Sequence, residues 1–218
     1  MRSVRINFNK TGVLKYISHL DMIRCITRAV RRSKLPIWYT EGFNPHPYLN
    51  FGLPVSLGIE SYNDVLDVKL PEDYPLAQVA ESLNAVLPAN IVVTKVYEPV
   101  NKTQEIAFAE YNIILDENYP LEEAEAVLRE GKLTYEKLGK KNGKKVLKTV
   151  NLSENIKSYS FTAFDGRIIL NAVLAAGNTV NINPFSLIEC INAKLSVDFD
   201  AINIERKRLF LADMKEFV

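Results

Sequence analysis

Apolar and polar positions alternate from the first residues of the chain. In SVRINFNK (3–10), Val4, Ile6 and Phe8 occupy every second position, which predicts a strand with one buried face. The period then lengthens. In SHLDMIRCITRAVRRSKLP (18–36), Met22, Ile23, Ile26, Ala29 and Val30 recur at helical spacing, Ser18 and Asp21 form a capping box, and Pro36 closes the segment. Past an aromatic stretch, LPVSLG (53–58) and DVLDVKL (64–70) read as strands joined by the polar turn IESYN. YPLAQVAESLNAVLP (74–88) reads as an amphipathic helix between prolines, and NIVVTKVYE (90–98) as a strand. Strand, helix, strand, strand, helix, strand is the ferredoxin-like order.

PVNKTQ (99–104) reads as a linker, dividing the chain into domains 1–100 and 101–218. The second begins with strand IAFAEYNIILD and helix PLEEAEAVLREG (120–131). A lysine-rich hairpin, KLGKKNGKKVLKTV, turns at Asn142-Gly143. Strands KSYSFTAF and GRIILNAVL meet at Asp165-Gly166, and helix NPFSLIECINAKL (183–195) and strand AINIERKRLFL follow. The expected fold class is α+β: two ferredoxin-like (βαββαβ) halves, the second with an extra β-hairpin. No residue-level repeat links them, so the duplication is architectural.

Composition changes this picture only locally. The net charge of +1 is near zero, yet residues 1–50 carry nine Lys/Arg against two acids. No apolar run approaches the roughly 20 residues a bilayer crossing needs, and the N-terminus lacks the apolar core of a signal peptide. Cys25 and Cys190 are far apart, each in an apolar helical context, and read as buried thiols of a reduced cytoplasm. A cytoplasmic protein with no membrane contact is expected.

Within the first helix, Arg24, Arg28 and Arg31/Arg32 share a side, with Lys34 beyond. Four guanidinium forks so placed suit phosphate oxygens, and equally suit a solvated face near the negative end of the helix dipole. His19, in the first turn, reads either as a packing histidine or as a neutral proton-transfer group at a pocket edge. In EGFNPHPYLNFG (41–52), Pro45 and Pro47 hold the backbone extended, so Phe43, Tyr48 and Phe51 project from a stiff segment. With Trp38 and Tyr39 they make five aromatic residues in fourteen positions, beside the arginine helix, and His46 and Asn50 lie among them. Such rings either cap a core or stack on bases of single-stranded RNA. The hairpin lysines Lys140, Lys141, Lys144, Lys145 and Lys148 read as a soluble tip or as an electrostatic contact.

No dinucleotide fingerprint, Walker loop, nucleophile elbow or zincin motif occurs, and two histidines with two dispersed cysteines make no familiar zinc or iron–sulfur site. No metal and no cofactor are therefore expected. An enzyme working alone would draw acid–base chemistry from His19, His46, Asp21 or a tyrosine.

Residues 10–61 carry a dense series of motifs: Gly12 through Asp21 with its SHLD end, the Arg24/Arg28/Arg31/Arg32 helix, Gly42-Phe43 with Pro45-His46-Pro47, and Gly58-Ile59-Glu60-Ser61. This run resembles the signature of the radical-SAM-associated proteins, a bacterial domain family of unknown function. The resemblance implies an accessory module, fused to or encoded beside a radical S-adenosylmethionine protein with a cobalamin-binding-like domain. At Tyr48-Leu49-Asn50 the chain departs from the basic residue and serine that members often carry. The resemblance assigns no reaction to any residue.

Together these features lead to the expectation of a non-catalytic accessory protein. It would bind RNA (tRNA or rRNA) through Arg24, Arg28, Arg31, Arg32, Tyr39, Phe43, His46, Tyr48 and Asn50, and present it to a separate radical S-adenosylmethionine enzyme. Two alternatives stand beside it. One is a metal-independent RNA-processing enzyme using His19 or His46; the other is a module that only docks on a partner protein.

Overall fold

The computed structural model describes residues 1–141, 144–177 and 180–218, without the side chains of 137–141, 144–146 and 148. The protein is mixed α+β with mostly antiparallel strand pairing. It divides into two compact units, one comprising residues 1–106 and 205–218 and the other residues 107–204.

In the first unit, β1 (Arg2–Lys10) pairs antiparallel with both β3 (Ile59–Leu70) and β4 (Ile91–Tyr97). The short β2 (Asn50–Gly52) pairs antiparallel with Val65–Asp67 of β3. Helices α1 (His19–Ser33) and α2 (Leu76–Asn84) cover one face. The core there follows directly from the period-2 pattern. Val4, Ile6 and Phe8 of β1 lie with Leu66, Val68 and Leu70 of β3, under Met22, Ile26 and Val30 of α1 and Val79 and Leu83 of α2. Ser18 caps α1 as its sequence predicts: its hydroxyl accepts from the Asp21 N–H at 3.1 Å. Residues 205–210, within β10 (Asn203–Phe210), and the C-terminal tail also belong to this unit.

On the opposite face the fully buried Arg5 meets Asp67 in a two-pronged pair, Nε to Oδ1 at 2.7 Å and Nη2 to Oδ2 at 2.9 Å. Its guanidinium carbon lies 4.3 Å from the centre of the Phe217 ring, so the C-terminal tail closes over this charge. The Asn101 N–H donates to Val218 O at 2.9 Å, tying the tail down beside it.

In the second unit β9 (Arg167–Ala175) pairs antiparallel with β5 (Phe108–Asp116) on one side and β8 (Ile156–Phe164) on the other. Helices α3 (Leu121–Glu130) and α4 (Pro184–Leu195) pack together, with Asn183 capping α4. Asp165 (φ 49°) and Gly166 (φ 64°) turn the β8–β9 hairpin with both residues left-handed, as a two-residue turn requires. Strands β6 (Thr134–Lys141) and β7 (Lys144–Asn151) form the added hairpin. Its Asn142-Gly143 turn lies outside the described residues, as do the side chains of Lys140, Lys141, Lys144, Lys145 and Lys148.

Three expectations need correction. Residues 53–58 are not a strand, because Pro54 has no N–H to give a ladder and Leu53 takes φ 28°; the pairing falls on Asn50–Gly52 instead. IESYN is not a turn but the first half of β3, where Ser61 and Asn63 are buried and hydrogen-bonded to Arg206 and Asn7. Neither cysteine is fully buried; both are half-buried free thiols. Among the described residues no helix is long and apolar enough to cross a membrane.

Candidate functional site

The strand alternation that builds the first unit's core ends in charge. After Val4, Ile6 and Phe8 the next residue on that face of β1 is Lys10, and before Leu66 the preceding residue on that face of β3 is Asp64. The register brings them close, since Phe8 lies opposite Asp64 and Lys10 opposite Ser61 across an irregularity in the ladder. Lys10 is only 4% exposed and Asp64 8%. The fully buried Arg206 completes the cluster. Its Nη2 donates to Asp64 Oδ1, its Nε to Ser61 Oγ at 3.3 Å, and its Nη1 to the Leu53 carbonyl at 2.6 Å.

A small cavity of about 30 Å³ opens against this cluster, enough for roughly two waters. Lys10, His19 and Asp64 are its polar walls, and Phe8, Ile17, Met22 and Phe51 are among its apolar ones. His19 reaches it from the first turn of α1, its ring edge-on to Phe51 with centroids 5.4 Å apart. Burial pushes the Lys10 ammonium below its usual pKa. The Asp64 carboxylate works against that shift and the Arg206 guanidinium reinforces it.

The outer side of α1 is a different environment. Asp21, Arg24, Cys25, Arg28 and Arg32 line an open groove of about 400 Å³. Arg24 donates to Asp21 Oδ1 at 2.9 Å, and Arg32 to the Val86 carbonyl at 2.9 Å. Arg28 has no hydrogen-bond or ion-pair partner among the described residues and points its charge into solvent. The Ser18 hydroxyl, and then Arg24, hold the Asp21 carboxyl below its usual pKa, so it is ionised and tempers the cationic groove at one end. Arg31 is exposed but does not line the groove.

The aromatic stretch divides among three roles. Its backbone forms a closed loop: the Thr40 N–H donates to His46 O and the Tyr48 N–H to Trp38 O, both at 2.9 Å, and Tyr39 bridges Pro47. His46 Nδ1 lies 3.0 Å from Thr40 Oγ1 and 3.1 Å from Asn44 O, so its ring is held within the loop; it does not line the His19 cavity. Tyr48 packs on Trp38 (centroids 5.8 Å), with Lys69 Nζ 5.0 Å and 5.2 Å from the Trp38 and Tyr48 ring centres. Tyr39 is half-buried. Asn50 Nδ2 donates weakly to Thr103 Oγ1 at 3.5 Å. Phe43, next to Gly42 at φ 120°, stands wholly in solvent at the loop tip.

The arginines of α1 were singled out by their spacing, and the structure brings Arg24, Arg28 and Arg32 together. His46 is not among the residues that line the cavity of His19. Lys10, Ser61, Asp64 and Arg206 were missed, although one signal was present: the apolar stripes Val4-Ile6-Phe8 and Leu66-Val68-Leu70 both run in register onto a charged residue.

A family model described as "Uncharacterized protein conserved in bacteria (DUF2344)" matches residues 3–184. No curated protein matches the sequence. Among solved structures, a chain from "Crystal Structure of a Cbf5-Nop10-Gar1 Complex" is similar, with TM-score 0.52 and 15% identity over 94% of this chain and 48% of that one. This chain thus spans about half the length of that one, and at that identity the likeness is one of fold.

Proposed function

We propose a function from the premise that the chain belongs to the uncharacterized bacterial family DUF2344, whose model matches residues 3–184. It is a non-catalytic accessory protein that binds RNA along the arginine groove of α1 and presents it to a separate enzyme. The observation that carries this reading is the groove itself: Arg24, Arg28 and Arg32 on one helix side, open to solvent, with only Asp21 as a counter-charge among its lining residues. Planar guanidinium groups spaced a helical turn apart match successive phosphates. Of the nine basic residues in 1–50, Arg5 and Lys10 are buried beside Asp67 and Asp64, so the local potential a polyanion meets comes from exposed cations such as Arg24, Arg28, Arg31, Arg32 and Lys34. The resemblance of residues 10–61 to radical-SAM-associated proteins supports a radical S-adenosylmethionine enzyme as the partner. We read each unit as a ferredoxin-like half, the second carrying the added β6–β7 hairpin.

Filter binding against total tRNA at low salt tests the RNA reading. Binding that weakens about tenfold or more when Arg24 and Arg28 are both changed to Ala supports it. Undetectable binding, or binding indifferent to that change, ends it.

Phe43 favours a docking role for the PHP loop. An aromatic ring fully in solvent on a hydrogen-bonded loop is a ready anchor for a protein partner. In this reading Phe43→Ser abolishes co-purification with the partner enzyme and leaves tRNA binding unchanged. Loss of both together would assign the loop to RNA.

A further inference from the structure

The cavity beside Lys10 is independent of the arginine groove and carries its own chemistry. A lysine ammonium is costly to bury unless something accepts its hydrogens. Lys10 is 4% exposed, yet among the described residues its Nζ makes no hydrogen bond and no ion pair within 4 Å. The acid acting on it, Asp64, already accepts a hydrogen bond at Oδ1 from Arg206. Lys10 and Arg206 therefore bring two positive charges to a cluster in which Asp64 brings one negative, and the cavity adjoins the lysine.

The shape narrows the occupant. About 30 Å³ holds two oxygen-sized positions but not a nucleobase or a sugar. The walls are mostly apolar, with Phe8, Met22 and Phe51 among them, and His19 offers a ring nitrogen at the edge. A tetrahedral phosphate carries more oxygens than these few polar groups can satisfy. A planar carboxylate carries two, and its carbon stem suits the apolar rim.

We propose that this cavity is a binding site for the head group of a small-molecule carboxylate, with its two oxygens inside, paired to Lys10 and next to Met22, and its carbon stem leaving through the open mouth beside the half-buried Phe51. The ligand neutralises the surplus charge and supplies the acceptors that Lys10 lacks. Because the site and the groove share no lining residue, the inference stands or falls apart from RNA binding.

The chain has three methionines, Met1, Met22 and Met214, of which Met22 alone lines the cavity. Methyl-labelled methionine therefore gives an NMR probe with two internal controls. Titrating the intact protein with butyrate at constant ionic strength is expected to move the Met22 methyl signal saturably and leave Met1 and Met214 in place. Lys10→Gln, with a dispersed amide spectrum and a cooperative urea transition as the check on folding, is expected to abolish the movement. A Met22 signal that stays still, or that responds equally in Lys10→Gln, overturns the proposal. An equal response to inorganic phosphate overturns its assignment to carboxylates. If Lys10→Gln does not fold, the wild-type butyrate and phosphate titrations still decide.

Discussion

Helix α1 borders two cationic places in one unit, and they follow opposite physics. At its first turn, His19 faces a closed cluster in which Lys10 and Arg206 are buried and Asp64 is their counter-charge. Along its outer side, Arg24, Arg28 and Arg32 stand in water. A charge in water is screened and costs little to keep or lose. A charge under a helix must be paired, and removing its partner leaves an expensive orphan. The exposed arginines can therefore be exchanged at little cost to the fold, and the buried cluster cannot.

The comparison breaks most sharply at Asp64. Asp64→Ala leaves Arg206 and Lys10 buried without their carboxylate and is expected to cost about 3–5 kcal/mol in urea unfolding. Arg28→Ala, on the outer side, should lie within about 0.5 kcal/mol of wild type. A cost below 1 kcal/mol for Asp64→Ala would erase the distinction between the two places.

Ser18→Ala tests the hinge between them, since Ser18 caps α1 and also donates to Asp21 at 2.7 Å. The expected loss is about 1 kcal/mol, read by thermal or urea unfolding. It is also expected to let the Asp21 carboxyl titrate nearer its ordinary pKa in carbon-detected NMR, because the hydroxyl is the first cause of its depression.

A smaller effect separates the two places by pH. The Lys10 ammonium is disfavoured in the folded state, so the unfolded chain binds the extra proton between the lowered folded pKa and 10.5. Stability from this group therefore rises with pH across that window, and Lys10→Met should flatten the rise. Tyr62, pushed up to about 12 chiefly by burial, acts in the opposite sense. Its phenol ionises first in the unfolded chain, so its contribution falls as pH climbs from about 10 to 12. Unfolding curves across alkaline pH for wild type and Lys10→Met resolve the two. No difference in slope between them would show that Lys10 is not desolvated.

How much of this was legible in the sequence depends on whether local pattern or partner choice decides. The helix of Met22, Ile26, Ala29 and Val30 and the strand of Val4, Ile6 and Phe8 were readable because period alone selects their buried faces. The start of β3 was not, because Ser61 and Asn63 look like turn residues until Arg206 and Asn7 supply their hydrogen bonds from distant positions. The arginine groove needed only helical spacing, which one segment contains. The Lys10 cluster draws on β1, β3 and β10, and no window of sequence holds all three. The stripes pointed to Lys10 and Asp64, but nothing local marked Arg206 as the cation between Ser61, Asp64 and Leu53.

The central claim is that the exposed side of α1 contacts phosphates. It is tested most directly by the slope of log K for tRNA binding against log salt, in wild type and in the Arg24→Ala/Arg28→Ala variant. With two phosphate contacts removed, at about 0.7–0.9 per contact, the slope should become shallower by about 1.4 to 1.8. A variant whose slope equals that of wild type would show that these arginines do not meet the backbone of RNA.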